Sequence, residues 1–163
     1  MTLRPVLRYP DPRLSTPADP VVAFDQALAD LAEDLAATML AAPGIGIAGP
    51  HIGVMRRILV IQLAADGPRW VCVNPQITAT SAVTVRHTES SIALPGIAEE
   101  VERPDKVSVR YQDLTGASQS IEAAGLLGVC LQHEIDQLDG IFWLKRLSRL
   151  KRERLLRRAA KRA

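Results

Sequence analysis

The chain has 163 residues, 47% of them hydrophobic and 23% charged, a composition that suits one compact globular domain with a core of its own. It contains no run of about 18 apolar residues that would predict a membrane-spanning helix, and the N-terminus shows no signal-peptide h-region. The two cysteines, Cys72 and Cys130, both lie in apolar runs. We therefore expect buried free thiols, no membrane association and a cytoplasmic location.

The first third of the chain predicts one helix followed by an unusual loop. Prolines between residues 9 and 20 indicate an irregular segment. Residues 25–42 then carry apolar side chains at helical spacing, which predicts an amphipathic helix that ends at Pro43 and Gly44. The segment 44–53, GIGIAGPHIG, has few polar residues for a solvated loop. Its glycines would allow another backbone or a ligand to approach closely.

The middle of the chain predicts β-structure. The predicted strands are residues 57–63, 70–77, 83–87, 107–112 and 118–123. The third of these is the weakest, and residues 88–98 are predicted to be an apolar loop of small residues that ends at Pro95-Gly96. The last two strands favour a hairpin across residues 113–116. Because strands and helices do not alternate as in βαβ units, the predicted fold class is α+β.

A predicted helix at residues 126–140 contains a conspicuous polar cluster, His133-Glu134-Ile135-Asp136-Gln137. The flanking apolar residues recur at helical spacing, and Gly140 has the position that commonly ends a helix. In the pattern H-E-x-x-H, two imidazoles one turn apart bind a metal ion, and the Glu deprotonates a metal-bound water. Here the second His is replaced by Gln137, so only half of that motif is present.

Three stretches in a fixed order carry a family resemblance: GIGIAGPHIG at residues 44–53, ESSIALPG at 89–96 and QHEIDQLDG at 132–140. They resemble the peptide deformylase motifs G-x-G-x-A-A-P-Q, E-G-C-L-S and Q-H-E-x-D-H. The likeness extends over essentially the whole chain, from YPDPRL near the start to the basic tail. It implies a peptide-deformylase-like α+β fold, in which small antiparallel sheets pack around a central buried helix.

The resemblance implies a metal-dependent hydrolase that removes the N-formyl group from the first methionine of nascent proteins. In the family, iron, zinc, nickel or cobalt is held by the Cys of the second motif and both His residues of the third. Those positions are Ser91, His133 and Gln137 here. Because a protonated hydroxyl and a neutral amide are poor ligands for such metals, we predict weak metal binding or none. Deformylase activity would then be lost or strongly reduced.

The resemblance also assigns roles to the other motif residues. Glu134 has the position of the general base, and His51 has that of the Gln that polarises the formyl carbonyl. The backbone N–H of Ile92 would form part of the oxyanion site. Ile45 and Gly46 would bind the substrate, a nascent formyl-peptide.

Most of these residues also have other interpretations. His133 can be a buried imidazole that hydrogen-bonds to its neighbours, and Glu134 a carboxylate whose pKa is raised by desolvation. Alternatively, His51 and His133, with Glu134 or Cys130, could form a rewired metal site in an active hydrolase of N-formyl or acyl-peptides. His87 is predicted to lie on a strand surface, and Cys130 is also compatible with plain core.

The charge is unevenly distributed, which divides the chain into a main domain, residues 1–147, and a basic helical extension, residues 148–163. Residues 145–163 contain ten Lys or Arg and one acid, so they carry +9 while the whole chain carries +2. The extension can be a solvated amphipathic helix or an electrostatic contact with RNA. The family resemblance implies a ribosome contact, so a non-catalytic ribosome-associated module is a further hypothesis.

Overall fold

The computed structural model describes residues 1–162, and these form three α-helices and seven strands joined by turns and three short 3-10 segments. The helices are α1 (Gln26–Ala41), α2 (Gly125–Leu138) and α3 (Arg149–Arg162). The strands are β1 (Gly46–Ala48), β2 (Ile58–Gln62), β3 (Arg69–Thr80), β4 (Thr84–Ser91), β5 (Leu94–Pro104), β6 (Lys106–Gln112) and β7 (Ser118–Ala124). Strands precede α2 without βαβ alternation, which confirms the predicted α+β class.

Five strands form an antiparallel sheet in the order β1-β2-β3-β6-β7, in which β1 is an edge strand. Strand β2 is buried along its whole length because its side chains alternate between two cores. Ile58 and Val60 pack in the core that contains α1. Leu59 and Ile61 pack in the core that contains α2. The sheet is therefore covered by a helix on both faces.

Helix α2 also contacts the second sheet, which consists of β4 and β5 alone. Ten of its fourteen residues are buried, and Gly140 follows with a left-handed φ of 79°, as predicted for a residue that ends a helix. The prediction of small antiparallel sheets around a central buried helix is confirmed. Through this arrangement the polar cluster of α2 faces the ends of β4 and β5.

The prediction that residues 88–98 form a loop is wrong. Strand β4 continues to Ser91 and β5 begins at Leu94, with Glu89 paired to Glu99 and Ser90 to Ala98. Gly, Pro and, to a lesser degree, Ala and Glu are depleted in strands, so the local sequence gives no clear strand pattern here. Pairing with the partner strand supplies the conformation instead.

Helix α3 packs on the β4–β5 sheet through a third apolar core. Leu155 is 1% exposed and joins Ile97 and Val101 of β5 there, together with Trp143. At the helix end, Arg162 donates a hydrogen bond of 2.7 Å to the carbonyl of Gly96. Among the described residues, no helix combines the length and the apolar character needed to cross a membrane.

Both cysteines are buried free thiols, as predicted. Burial raises the pKa of each thiol to about 12, so Cys72 and Cys130 stay protonated near neutral pH.

Candidate functional site

A cavity of about 560 Å³ lies where α2, the loop before β1 and the end of β4 meet. Seven of the residues singled out in the sequence line it: Ile45, Gly46, His51, Ser91, Ile92, His133 and Glu134. Cys130 lines it as well, while also packing in the core between α2 and the sheet. Gln137 is outside the lining, and so is His87, a half-buried residue of β4.

His133 is held by a carboxylate of the neighbouring sheet. Its Nδ1 lies 2.8 Å from Oε1 of Glu89. An ionised carboxylate only accepts hydrogen bonds, so Nδ1 of His133 carries a hydrogen. The other ring nitrogen, Nε2, takes no part in this hydrogen bond. Burial alone would lower the pKa of His133, but the hydrogen bond to Glu89 and the negative charges of Glu134 and Glu89 together raise it above its usual value.

Glu89 belongs to a buried network of alternating charges. Arg103 of β5 donates hydrogen bonds to both oxygens of Glu89, one of them 2.8 Å long, and a further one of 2.9 Å to Asp136 of α2. Arg146 donates two more to Asp136. Burial would raise the pKa of Glu89, but the hydrogen bonds from Arg103 and His133 outweigh it and lower the pKa to about 2. The negative charges of Glu89 and Asp136 are thus balanced by the positive charges of Arg103 and Arg146.

Glu134 has no comparable partner. Its side chain is buried in the cavity wall, and Oε1 has no hydrogen-bond partner among residues 1–162. Burial, with a smaller contribution from the charge of Glu89, raises the pKa of Glu134 to about 7, although His133 acts in the opposite direction. A Cβ at Gly46 would lie 2.8 Å from Oε2 of Glu134, so the start of β1 lies very close to this carboxylate.

His51 is a neutral, fully buried side chain in a fixed tautomer. Its Nδ1 accepts a hydrogen bond of 2.9 Å from the backbone N–H of Ala48. Burial, helped by the charge of His133, lowers the pKa of His51 to about 3. Because a neutral imidazole carries one ring hydrogen, that hydrogen is on Nε2, and His51 is a hydrogen-bond donor through this atom.

The side chains of Ser91 and Gln137, the other two predicted ligand positions, hydrogen-bond to backbone groups. The Oγ atom of Ser91 accepts a hydrogen bond of 3.1 Å from the N–H of Ala93. Gln137, which is 2% exposed, donates from Nε2 to the carbonyl of Leu14 at 2.8 Å. Within residues 1–162, no group of three or more His, Cys, Asp or Glu side chains is arranged to hold a metal ion.

The sequence reasoning missed Glu89, Arg103 and Arg146 as members of the site. Glu89 opens the stretch ESSIALPG, so the motif itself contained the signal. Arg103 lies in VERP and Arg146 follows α2. Nothing local indicates that either guanidinium is directed at α2, because the contacts join residues that are distant in the sequence.

The fold and this cavity define a class of protein in which a buried helix presents His and Glu to a cavity between two antiparallel sheets. The family model for polypeptide deformylase matches residues 3–153, and the chain belongs to the peptide deformylase family. A peptide deformylase-like protein of Brucella melitensis is 54% identical over 99% of this chain and 98% of its own length. A peptide deformylase of Rhizobium meliloti is 40% identical over 100% of this chain and 95% of its own.

A solved structure agrees with this assignment. The peptide deformylase of Legionella pneumophila superimposes with a TM-score of 0.93 at 38% identity, over 98% of this chain and 95% of that one.

Proposed function

We propose that this member of the peptide deformylase family has little or no metal-dependent deformylase activity and uses its cavity to bind the N-terminal segment of a peptide. The supporting observation is the state of the three positions that the resemblance assigns to metal ligands. Two of them, Ser91 and Gln137, make hydrogen bonds to backbone groups. Of these three residues, only His133 has a nitrogen atom that can act as a metal ligand.

These residues do not fit a three-ligand site for iron, zinc, nickel or cobalt. A Ser hydroxyl stays protonated near neutral pH, and an amide oxygen is a weaker ligand than imidazole. Losing even a side chain that only orients a ligand typically weakens metal binding about 10–100-fold, so replacing two ligands costs more. The residues present therefore support no hydrolytic step that depends on a bound metal.

The geometry also disfavours the rewired metal site that uses His51. A metal ligand needs a free nitrogen lone pair, but Nδ1 of His51 accepts from Ala48 and Nε2 carries the hydrogen. We propose instead that the Nε2 hydrogen binds a carbonyl oxygen of the ligand. A neutral N–H donor can fill the position that the resemblance gives to the Gln amide.

The backbone around the cavity supports an extended peptide as the ligand. The N–H of Gln62 in β2 donates to the carbonyl of Ile45, so the next residue, Gly46, directs its own N–H and C=O away from β2. These groups lie on the free edge of an edge strand, where an added strand can pair with them. Ile45 and Leu126 are large, exposed apolar residues in the cavity lining and would contact apolar side chains of the peptide.

The test compares the unaltered chain with Ser91→Cys/Gln137→His, using protein purified anaerobically with iron, nickel, cobalt and zinc supplied. We expect a stoichiometric metal and turnover of formyl-Met-Ala-Ser only in the double variant. Ser90→Cys/Gln137→His is the matched control, because Ser90 is the exposed neighbour of Ser91. Stoichiometric metal or rapid turnover in the unaltered chain would refute the loss of activity.

A second candidate function, contact with RNA, is supported by α3. Its outward surface is basic, and its one acid, Glu153, is paired with Arg149 at 2.9 Å. We propose that this surface binds ribosomal RNA by neutralising phosphates. Charge reversal at Arg154, Arg157 and Arg158, which are all exposed, should abolish co-sedimentation with ribosomes at low salt. Reversal at the exposed Arg86 of β4 should not, and equal pelleting of both variants would contradict the proposal.

A further inference from the structure

We infer that Arg8 selects peptides with acidic side chains soon after the first residue, by binding a carboxylate at the mouth of the cavity. The inference rests on the proposed binding function and specifies the class of peptide. The acidic and histidine side chains of the lining are largely buried: His51, Glu89, His133 and Glu134. Among the lining residues that the structure describes, Arg8 is the only exposed residue with a charge. It is therefore the charge that the outer part of a bound peptide can reach.

The buried charges of the cavity are compensated within the protein. Arg103 donates hydrogen bonds to both oxygens of Glu89. Glu134 follows His133 on α2. Burial lowers the pKa of His133, but the hydrogen bond to Glu89 and the negative charge of Glu134 raise it above its usual value. The acidic groups thus have cationic neighbours of their own, and Arg8 is not needed to balance them.

The backbone on both sides of Arg8 is held against the cavity wall. The N–H of Leu7 donates to the carbonyl of His51 at 2.8 Å, and the N–H of Tyr9 donates to the carbonyl of Ala93 at 2.9 Å. A residue between two such hydrogen bonds loses little further backbone freedom when a ligand binds. Pre-organisation of this kind favours affinity and specificity.

The guanidinium of Arg8 keeps most of its hydrogen-bonding capacity for a ligand. An Arg side chain has five N–H donors in a planar fork. Within residues 1–162 it makes one hydrogen bond, from Nη1 to the carbonyl of Ile92 at 2.8 Å. The remaining donors suit a carboxylate, because guanidinium–carboxylate pairs are frequently bidentate.

A second guanidinium makes the same part of the mouth more positive. Arg162, at the end of α3, donates from Nη1 to the carbonyl of Gly96 at 2.7 Å. Gly96 and Ile92 both line the cavity, on the hairpin of β4 and β5. Two positive charges on one rim attract an anionic ligand and repel a cationic one.

RNA phosphates also carry negative charge, but the position of Arg8 favours a peptide. Arg8 lines the same cavity as Gly46, whose free backbone groups are proposed to pair with the peptide. It belongs to the N-terminal segment and not to α3, which carries the basic surface proposed for RNA. A carboxylate on the bound peptide therefore reaches Arg8 as part of the ligand that already occupies the cavity.

The test is isothermal titration calorimetry of the unaltered chain with Met-Asp-Asp-amide, Met-Asn-Asn-amide and Met-Lys-Lys-amide, each with a free and with an N-formyl terminus. Asparagine has the shape of aspartate without its charge, and the amide removes the terminal carboxylate. At low salt we expect the Asp peptide to bind at least about fivefold more tightly than the Asn peptide, and the Lys peptide to bind most weakly. The differences should shrink at about 0.5 M NaCl.

Substitutions of Arg8 connect this preference to one side chain. Arg8→Met should bring the affinity for the Asp peptide to within about twofold of that for the Asn peptide. Arg8→Lys keeps the charge but not the planar fork, so it should retain part of the preference. The matched control, Arg86→Met at an exposed position of β4 outside the lining, should retain all of it.

Equal affinities of the Asp and Asn peptides for the unaltered chain would overturn the inference and leave the peptide-binding function standing. That comparison needs no substitution. An undiminished Asp preference in folded Arg8→Met would also overturn it. So would weaker binding of a uridine oligonucleotide to Arg8→Met with all peptide affinities unchanged, because Arg8 would then be a contact for RNA. Failure of every peptide to bind would refute the proposed binding function and this inference with it.

Discussion

Arg103→Met tests whether the buried charge network stabilises the connection between the β4–β5 sheet and α2. Arg103 is 4% exposed and hydrogen-bonds to Glu89 and Asp136. Methionine fills a similar length without a charge. Asp136 would keep its two bonds from Arg146, so the main consequence is a buried Glu89 left with His133 alone.

The expected cost follows from this geometry. Removing one partner of a buried ion pair typically destabilises by about 3–5 kcal/mol, because the other charge stays buried without compensation. For a chain of 163 residues, each kcal/mol shifts Tm by roughly 2–4 °C, which predicts a fall of about 6–20 °C. The matched change, Arg86→Met, removes an exposed pair with Glu102 at 3.9 Å, and such pairs contribute about 0–1 kcal/mol.

The assays are urea denaturation, for the free energy of unfolding, and thermal denaturation, for Tm, of both variants at neutral pH, each followed by circular dichroism. Adding Glu89→Gln to Arg103→Met should recover part of the lost free energy of unfolding, because it removes the stranded charge. A cost for Arg103→Met no larger than that of Arg86→Met would refute the reasoning. So would a double variant less stable than Arg103→Met alone.

Three other changes have outcomes set by the structure. Leu155→Ala should lower the free energy of unfolding by about 2–5 kcal/mol, whereas Leu150→Ala, at a position 72% exposed, should change it by less than about 0.5 kcal/mol; equal denaturation midpoints would contradict the packing of α3. Gly46→Ala should cost about 1–3 kcal/mol because its Cβ would meet Glu134, and an unchanged Tm would show that the carboxylate moves freely. Asp113→Ala should lower Tm at neutral pH. Hydrogen bonds from Thr115 and Gln119 lower the pKa of Asp113 to about 2, so its contribution is complete above pH 4 and lost as the pH falls towards 2; a Tm difference that does not narrow in acid would refute this.

The elements predicted correctly are those whose signals are local. The helix at residues 126–140 was identified from apolar residues one turn apart, and the structure places Leu131, Ile135 and Leu138 of α2 in one core. The hairpin of β6 and β7 was identified from its turn. There Asp113 accepts from the N–H groups of Thr115 and Ala117, an interaction within five residues.

The features that were missed depend on contacts between distant parts of the chain. Glu89 meets His133 across 44 positions of sequence, and Gln137 meets Leu14 across 123. A hydrophobic pattern within a window of 15 residues cannot reveal contacts between residues that far apart. The strand at residues 94–104 was missed for the same reason, because its conformation comes from pairing with β4 and not from its own residues.

The buried charge network gives His133 a structural role that does not require a metal ion. Its hydrogen bond to Glu89 connects α2 to β4, and Arg103 extends the connection to β5. The retained letters of H-E-x-x-Q are therefore weak evidence for catalysis, since packing alone accounts for His133. Ser91 and Gln137 lie outside this network and hydrogen-bond to backbone groups instead, so the charge network does not fix a hydroxyl or an amide at these positions. The same network holds His133 through Nδ1, and the other ring nitrogen, Nε2, takes no part in that hydrogen bond. A metal-binding imidazole needs this arrangement. Two substitutions should therefore suffice to restore a metal site.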